Sequence, residues 1–225
     1  MIPSEAFTDL IAELQRRPLE INKYRPSSGI GRSQAFGIVN KRCMPADYSR
    51  QCWTRPYLYK LLLDFGAEYV RDISWNAITV NQGYKASPHR DKKNGGDSFL
   101  VAFGSFTGGC LKIHEGDLSG VHNICHQPIQ TDFSKVLHSV EDFTGDRYSL
   151  VYYKYPVKDV PLPPSVRLVN DKWKFFRGEI ETDSLPHPKI GVPMKSKKKK
   201  FESSPPQIFN QHDITTSIHH GFPTD

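Results

Sequence analysis

His89 and Asp91 stand two residues apart in Pro-His-Arg-Asp-Lys-Lys-Asn, residues 88 to 94. On an extended segment residues i and i+2 project to the same side, so an imidazole and a carboxylate are offered together while Arg90 points away. A lone H-x-D occurs often by chance and is more commonly surface polarity than a metal site. A second histidine, His138 in Lys-Val-Leu-His-Ser-Val-Glu, lies far along the chain inside another strand-like run. Two histidines and one carboxylate can hold one face of an octahedral iron(II) and leave three positions open.

The stretch from His138 to Tyr155 reads as a hairpin. A four-residue loop, Asp142 to Gly145, would set Glu141 opposite Asp146 and His138 opposite Ser149, with Arg147 diagonal to His138. Alternation then places Arg147, Ser149, Val151 and Tyr153 on one face and Tyr148, Leu150 and Tyr152 on the other. An arginine turned into a protein interior is a costly charge unless a carboxylate meets it. Asp146 or Glu141 at the rim is one partner. A dicarboxylate cosubstrate, chelating iron at one end and held by a guanidinium and a hydroxyl at the other, is the alternative.

Other elements must carry these groups. The first twenty residues have helical spacing (Phe7, Leu10, Ile11, Leu14), as do residues 55 to 70 (Leu58, Leu61, Leu62, Phe65, Tyr69). From Trp75 the pattern changes to short strand-like runs at 75–84, 98–106, 109–115, 126–133, 136–141 and 147–155, separated by glycine-rich turn signals. Helices followed by many short strands predict an α+β domain whose helices brace an antiparallel barrel or sandwich. Gly31 to Val39 fits an early strand or a loop over the site's mouth. After Tyr155 a proline-rich stretch leaves the sheet, and residues 171–180 offer one more strand or a docking segment.

The 225 residues, 37% hydrophobic and 12% aromatic, suffice for one domain with a real core. The N-terminal stretch carries acidic residues and lacks an apolar h-region, so it does not read as a signal peptide. No run of about 18 apolar residues occurs, which predicts a protein without a membrane span. Four cysteines (Cys43, Cys52, Cys110, Cys125) without a secretory signal favour reduced thiols. The formal charge is +6, and much of the excess lies in Lys195 to Lys200, Lys-Ser-Lys-Lys-Lys-Lys. Such a run is a solvated segment, a nuclear-localisation signal or a polyanion-binding patch.

These motifs together resemble the Fe(II)/2-oxoglutarate dioxygenases, whose core is a double-stranded β-helix or jelly roll. Within that superfamily the chain is most similar to the TET/JBP group, which oxidises the 5-methyl group of pyrimidines in DNA. Pro-His-Arg-Asp-Lys-Lys-Asn resembles that group's H-R-D-x-x-N, and Arg-Tyr-Ser-Leu-Val-Tyr-Tyr (147–153) resembles its R-I-S-L-V-F-Y strand. The apolar run and glycine turn from Ser98 to Ile113 are also similar, and the likeness covers about residues 30 to 155. It implies a dioxygenase domain over 1–165 with its jelly-roll core at about 74–156, and the composition predicts a basic, largely disordered tail at 166–225.

The resemblance further implies that His89, Asp91 and His138 ligate Fe(II) as the catalytic centre, with 2-oxoglutarate and O₂ as cosubstrates. Arg147 and Ser149 would bind the distal carboxylate of 2-oxoglutarate, with Asn81 and Tyr84 near the cosubstrate. Asn94 would hydrogen-bond the target base and Tyr153 would stack on it, as suits a flipped-out nucleotide. Tyr155 stands where the TET pattern has a base-contacting histidine. The spacing from His138 to Arg147 is shorter than in TET enzymes and is common among prolyl hydroxylase-like members.

Three readings follow. The leading one is a nuclear enzyme acting on 5-methylcytosine or thymine in DNA. The second is the same chemistry on a protein side chain, and the third a jelly-roll binding module with a vestigial metal site. His122, Cys125 and His126, with His114 upstream, form a further polar cluster that fits no standard zinc spacing.

Overall fold

The computed structural model describes residues 1–21, 29–41, 44–158 and 164–178. Cys43, the Lys195–Lys200 run and most of the expected tail lie outside these. Met1–Glu181 belongs to one compact unit.

Eleven strands and three short helices make up the described residues, with a 3₁₀ turn, Ser4–Phe7, leading into α1 (Thr8–Arg16). A six-stranded sheet has the order β2-β1-β3-β9-β4-β7 and faces a three-stranded sheet, β6-β5-β8. The large sheet comprises β1 (Gly29–Lys41), β2 (Met44–Tyr48), β3 (Ala77–Ala86), β4 (Ser98–Gly108), β7 (Ile129–Thr131) and β9 (Phe143–Tyr153). The small one comprises β5 (Leu111–Ile113), β6 (Gly120–His122) and β8 (His138–Val140). Every pairing is antiparallel, and the result is the expected double-stranded β-helix braced by helices.

Side-chain alternation divides the core in two. One face of the large sheet turns Ile78, Val80, Val101, Phe103, Leu150 and Tyr152 toward the helices, all fully buried. Here α1 and α3 (Pro56–Tyr69) supply Leu10, Leu14, Leu58, Leu62 and Phe65 at i, i+4 and i+7 spacing. Pro56 opens α3 at its first turn, where a missing N–H costs nothing. Phe7 stacks on Phe103 with centroids 4.6 Å apart, and the buried Tyr152 hydroxyl donates to the Leu62 carbonyl at 2.7 Å. The opposite face contributes Leu100, Ala102 and Val151, which meet Leu111, Ile113, Ile124 and Phe133 between the sheets.

The structure corrects several sequence expectations. The hairpin from His138 to Ser149 does not form: β8 pairs with β5, and β9 pairs with β3 and β4. The chain crosses between sheets at Glu141 and Asp142, where the Glu141 N–H reaches the Cys110 carbonyl and the Gly109 N–H the Asp142 carbonyl. His138 and Arg147 therefore belong to facing sheets rather than neighbouring strands. The domain boundary at 165 falls inside β10 (Pro164–Val169), which forms a hairpin with β11 (Lys172–Arg177). Val166 and Phe175 of that hairpin are buried in the helix-side core, and Phe175 packs edge-on to Tyr48 and Trp53. Residues 31–39 form part of β1, the strand of the two alternatives, and β11 falls within the 171–180 strand alternative; β2, β6, β10 and α2 (Arg50–Thr54) had no sequence counterpart.

Candidate metal centre and its cavity

A single turn carries His89 and Asp91 out of β3 and across to the small sheet. Backbone bonds pin it there: His89 and His138 exchange N–H···O bonds of 2.9 and 3.0 Å, and the Asp91 N–H reaches the Phe133 carbonyl at 2.9 Å. His89 Nε2 lies 3.5 Å from Asp91 Oδ1, and the two imidazoles sit 4.3 Å apart centroid to centroid. One ligand atom from each of His89, Asp91 and His138 lies within 4.8 Å of the others, the sole such group of three among the described residues.

Both rings are aimed by the backbone. His89 Nδ1 lies 2.7 Å from the Ser87 carbonyl and His138 Nδ1 lies 3.1 Å from that of Val136. A carbonyl only accepts, so each Nδ1 carries a proton, which leaves Nε2 of the neutral ring to present its lone pair. Burial, the largest influence, holds the His138 pKa below its ordinary value, which keeps the ring neutral and ready to ligate near neutral pH. Asn94 supports the carboxylate: its backbone N–H bonds the Asp91 carbonyl at 2.9 Å, and Nδ2 lies 3.2 Å from Ser98 Oγ and 3.5 Å from Asp91 Oδ2.

The three ligands open into a cavity of about 410 Å³ between the sheets. Arg147 lies in the same wall, 2% exposed. Its Nε donates to the Gly109 carbonyl at 3.1 Å, and its guanidinium stands over Phe106 and Phe143, 5.5 and 5.4 Å from their centroids. Nη2 is buried with no hydrogen-bond partner among the described residues. Neither Asp146 nor Glu141 neutralises it, and burial pulls its pKa down to about 10. A desolvated guanidinium without a counter-charge is a strong attractor for a carboxylate. Ser149 lies beside it, 3% exposed, and accepts a 3.1 Å hydrogen bond from Asn81 Nδ2 across the β3–β9 ladder.

Tyr84, Asn94, Tyr153 and Tyr155 also line this cavity, so every residue singled out from the sequence as a ligand or contact meets there. Its other charged lining residues are Arg90, Lys92 and Lys93, and Asp91 is its one carboxylate. The second candidate cluster dissolves. His122 Nε2 bonds the Leu118 carbonyl at 2.7 Å, His126 stacks on Phe7 at 4.9 Å, and His114 Nε2 lies 2.9 Å from Ser139 Oγ. Sequence reasoning missed Glu115, whose carboxylate holds Arg90; no local spacing signals a contact between residues 25 positions apart.

The donor set fits iron(II): two imidazoles and a carboxylate on one side, with open cavity on the other. The orphaned Nη2 fits the far carboxylate of a dicarboxylate such as 2-oxoglutarate.

No family model matches the chain, and no curated protein matches it. Among solved structures it is similar to NgTET1 in complex with 5mC DNA (15% identity, TM-score 0.48), covering 68% of this chain and 69% of that one. It is also similar to a 2OG-Fe(II) oxygenase-family oxidoreductase from Burkholderia pseudomallei (17%, TM-score 0.43), covering 64% and 75%. A Pseudomonas putida prolyl-4-hydroxylase gives 17% identity and a TM-score of 0.43, covering 69% and 89%. Likenesses of this extent leave the chemistry to be read from the chain's own site.

Proposed function

We propose that this protein is an Fe(II)- and 2-oxoglutarate-dependent dioxygenase that oxidises the 5-methyl group of a modified pyrimidine in DNA. The observation that carries the enzyme reading is the buried Arg147, whose Nη2 has no hydrogen-bond partner among the described residues, in the same cavity as the His89–Asp91–His138 cluster. When bound, iron and 2-oxoglutarate supply the oxidation of a substrate C–H bond by O₂. His89, Asp91 and His138 would hold the metal. Arg147 and the Ser149 hydroxyl, oriented by Asn81, would hold the far carboxylate, and Phe106, Phe143 and Val151 would keep water from it. A vestigial site would have little reason to keep a buried guanidinium without a counter-ion.

The cavity mouth supports a DNA substrate. Exposed Lys92 and Lys93 flank it, and the Gly95 N–H bonds the Lys154 carbonyl at 2.8 Å, so the lysine-bearing turn abuts the chain between Tyr153 and Tyr155. None of these three lysines pairs with a described carboxylate, whereas Lys85, Arg90 and Lys135 pair with Asp142, Glu115 and Asp132. Cations next to aromatic faces suit phosphates and an unstacked base. Asn94, with Nδ2 turned to Ser98 and Asp91, would offer Oδ1 to a base amine. The Lys195–Lys200 run would serve as a nuclear address.

A second reading, hydroxylation of a protein side chain, draws on the short His138–Arg147 spacing and on Tyr155 in place of a base-contacting histidine. Mass spectrometry of nucleosides and proteins after aerobic incubation with Fe(II) and 2-oxoglutarate separates the two. An oxidised methylpyrimidine supports the first; a hydroxylated peptide with unchanged DNA replaces it with the second.

A further inference from the structure

Arg90 lies between two of the metal-ligand residues and borders the same cavity. Its side chain closes a bidentate contact on Glu115, with Nη2 at 2.5 and 2.7 Å from the two carboxylate oxygens and Nε at 2.9 Å from Oε1. Nε also lies 3.1 Å from the Lys135 carbonyl. The same Glu115 Oε1 accepts the N–H of Leu137, the residue before His138, at 2.5 Å. The His114 N–H in turn bonds the Leu137 carbonyl at 2.8 Å, so the Glu115 side chain extends the β5–β8 ladder by one rung.

We infer that Arg90 and Glu115 form a clasp that sets the distance between the two halves of the metal site. One carboxylate grips the arginine between His89 and Asp91 and, with the same oxygen, the backbone next to His138. The hydrogen bonds from Leu137 and Arg90 hold that carboxylate's pKa below its usual range, so it stays charged at neutral pH. The pair is more than a third exposed on both sides, and an ion pair so placed contributes little to global stability. What it fixes is position: bidentate geometry on one side and a backbone N–H on the other leave the carboxylate no rotational freedom. Arg90 and Glu115 are thus positioning residues that do not touch the metal. The inference rests on the metal reading of the His89–Asp91–His138 cluster.

The test is anaerobic Co(II) titration of the full chain followed by visible spectroscopy, which reports ligand geometry without turnover. The variants are Arg90→Ala, Glu115→Ala, the double variant and Glu115→Gln, with melting temperatures measured metal-free. Each single alanine variant is expected to weaken Co(II) binding by about 10- to 100-fold, as for residues that orient metal ligands. The Co(II) band should change shape, and metal-free melting should stay within about 2 °C of wild type. The double variant should lose no more than the worse single, because one clasp is broken once. Glu115→Gln, which keeps an acceptor for Leu137, should fall between wild type and Glu115→Ala. Binding within threefold of wild type, an additive double variant, or affinity loss matched by a large drop in metal-free melting would each overturn the clasp. If wild type takes up no Co(II), the metal reading itself fails.

Discussion

The Arg147 guanidinium and Gly109 are fitted to each other. Arg147 Nε donates to the Gly109 carbonyl at 3.1 Å, and a Cβ built on Gly109 would stand 2.7 Å from that same nitrogen. Gly109 also has φ +67°, a left-handed conformation that disfavours any side chain. The glycine turn after β4 therefore both holds Arg147 and leaves room for it.

Gly109→Ala should push Arg147 off its position and weaken 2-oxoglutarate binding to the Mn(II)-loaded protein by at least tenfold in calorimetry. Gly96→Ala is the control. Gly96 also has positive φ, but a methyl group there would meet nothing within 4 Å, so the substitution should cost about 1–2 kcal/mol of stability and leave cosubstrate affinity unchanged.

Replacing Arg147 should separate stability from function. Arg147→Met removes a desolvated charge that no described carboxylate compensates, at the loss of one hydrogen bond and two ring contacts. The metal-free protein is expected to melt at or above the wild-type temperature, while 2-oxoglutarate binding disappears. A metal-free variant that melts far below wild type would mean that the charge is satisfied in the unliganded fold.

Acid should release the Arg90–Glu115 clasp. The Glu115 pKa is lowered in the folded state, so its contribution is fully present above its unfolded value, near 4.5, and is lost as pH falls through the lower folded value. The stability difference between wild type and Glu115→Gln, measured by urea unfolding, should be small, hold steady from pH 7 to 5 and shrink below that.

The lysines at the mouth should read as salt dependence. Converting Lys92 and Lys93 to Gln should weaken oligonucleotide binding across sequences and reduce the slope of log K against log salt by roughly 0.7–0.9 per lysine. Steady-state affinity for 2-oxoglutarate should not move, because neither lysine shares Arg147's role as counter-charge.

Much of the site was legible because it depends on local alternation. Arg147 and Ser149 are an i, i+2 pair within β9, and strand geometry brings both to one face; His89 and Asp91, past the end of β3, keep the same i, i+2 relation and both line the cavity. Which strands pair is a longer-range matter. The same alternation suits a β8–β9 hairpin and a crossover between sheets equally well, and only the β5 ladder and the Gly108–Gly109 turn select the crossover. Arg90 was placed outward by alternation; it borders the cavity as well as reaching Glu115, which no spacing rule connects to it. Asn94 was anticipated as a substrate contact, whereas its amide nitrogen supports Asp91 and Ser98. The β10–β11 hairpin was half seen: β11 falls in the 171–180 segment read as a strand or a docking segment, while β10 had no counterpart in its proline-flanked stretch. Few of its side chains, Val166 and Phe175 among them, are buried, too few to stand out as a pattern.

The most direct test of the central claim is aerobic incubation of the Fe(II)-loaded protein with 2-oxoglutarate and a 5-methylcytosine oligonucleotide, quantifying succinate and oxidised base together. The account predicts the two in equal amounts from wild type and neither from Asp91→Ala or Arg147→Met. Absence of succinate from the iron-loaded wild-type protein, with or without DNA, would contradict it.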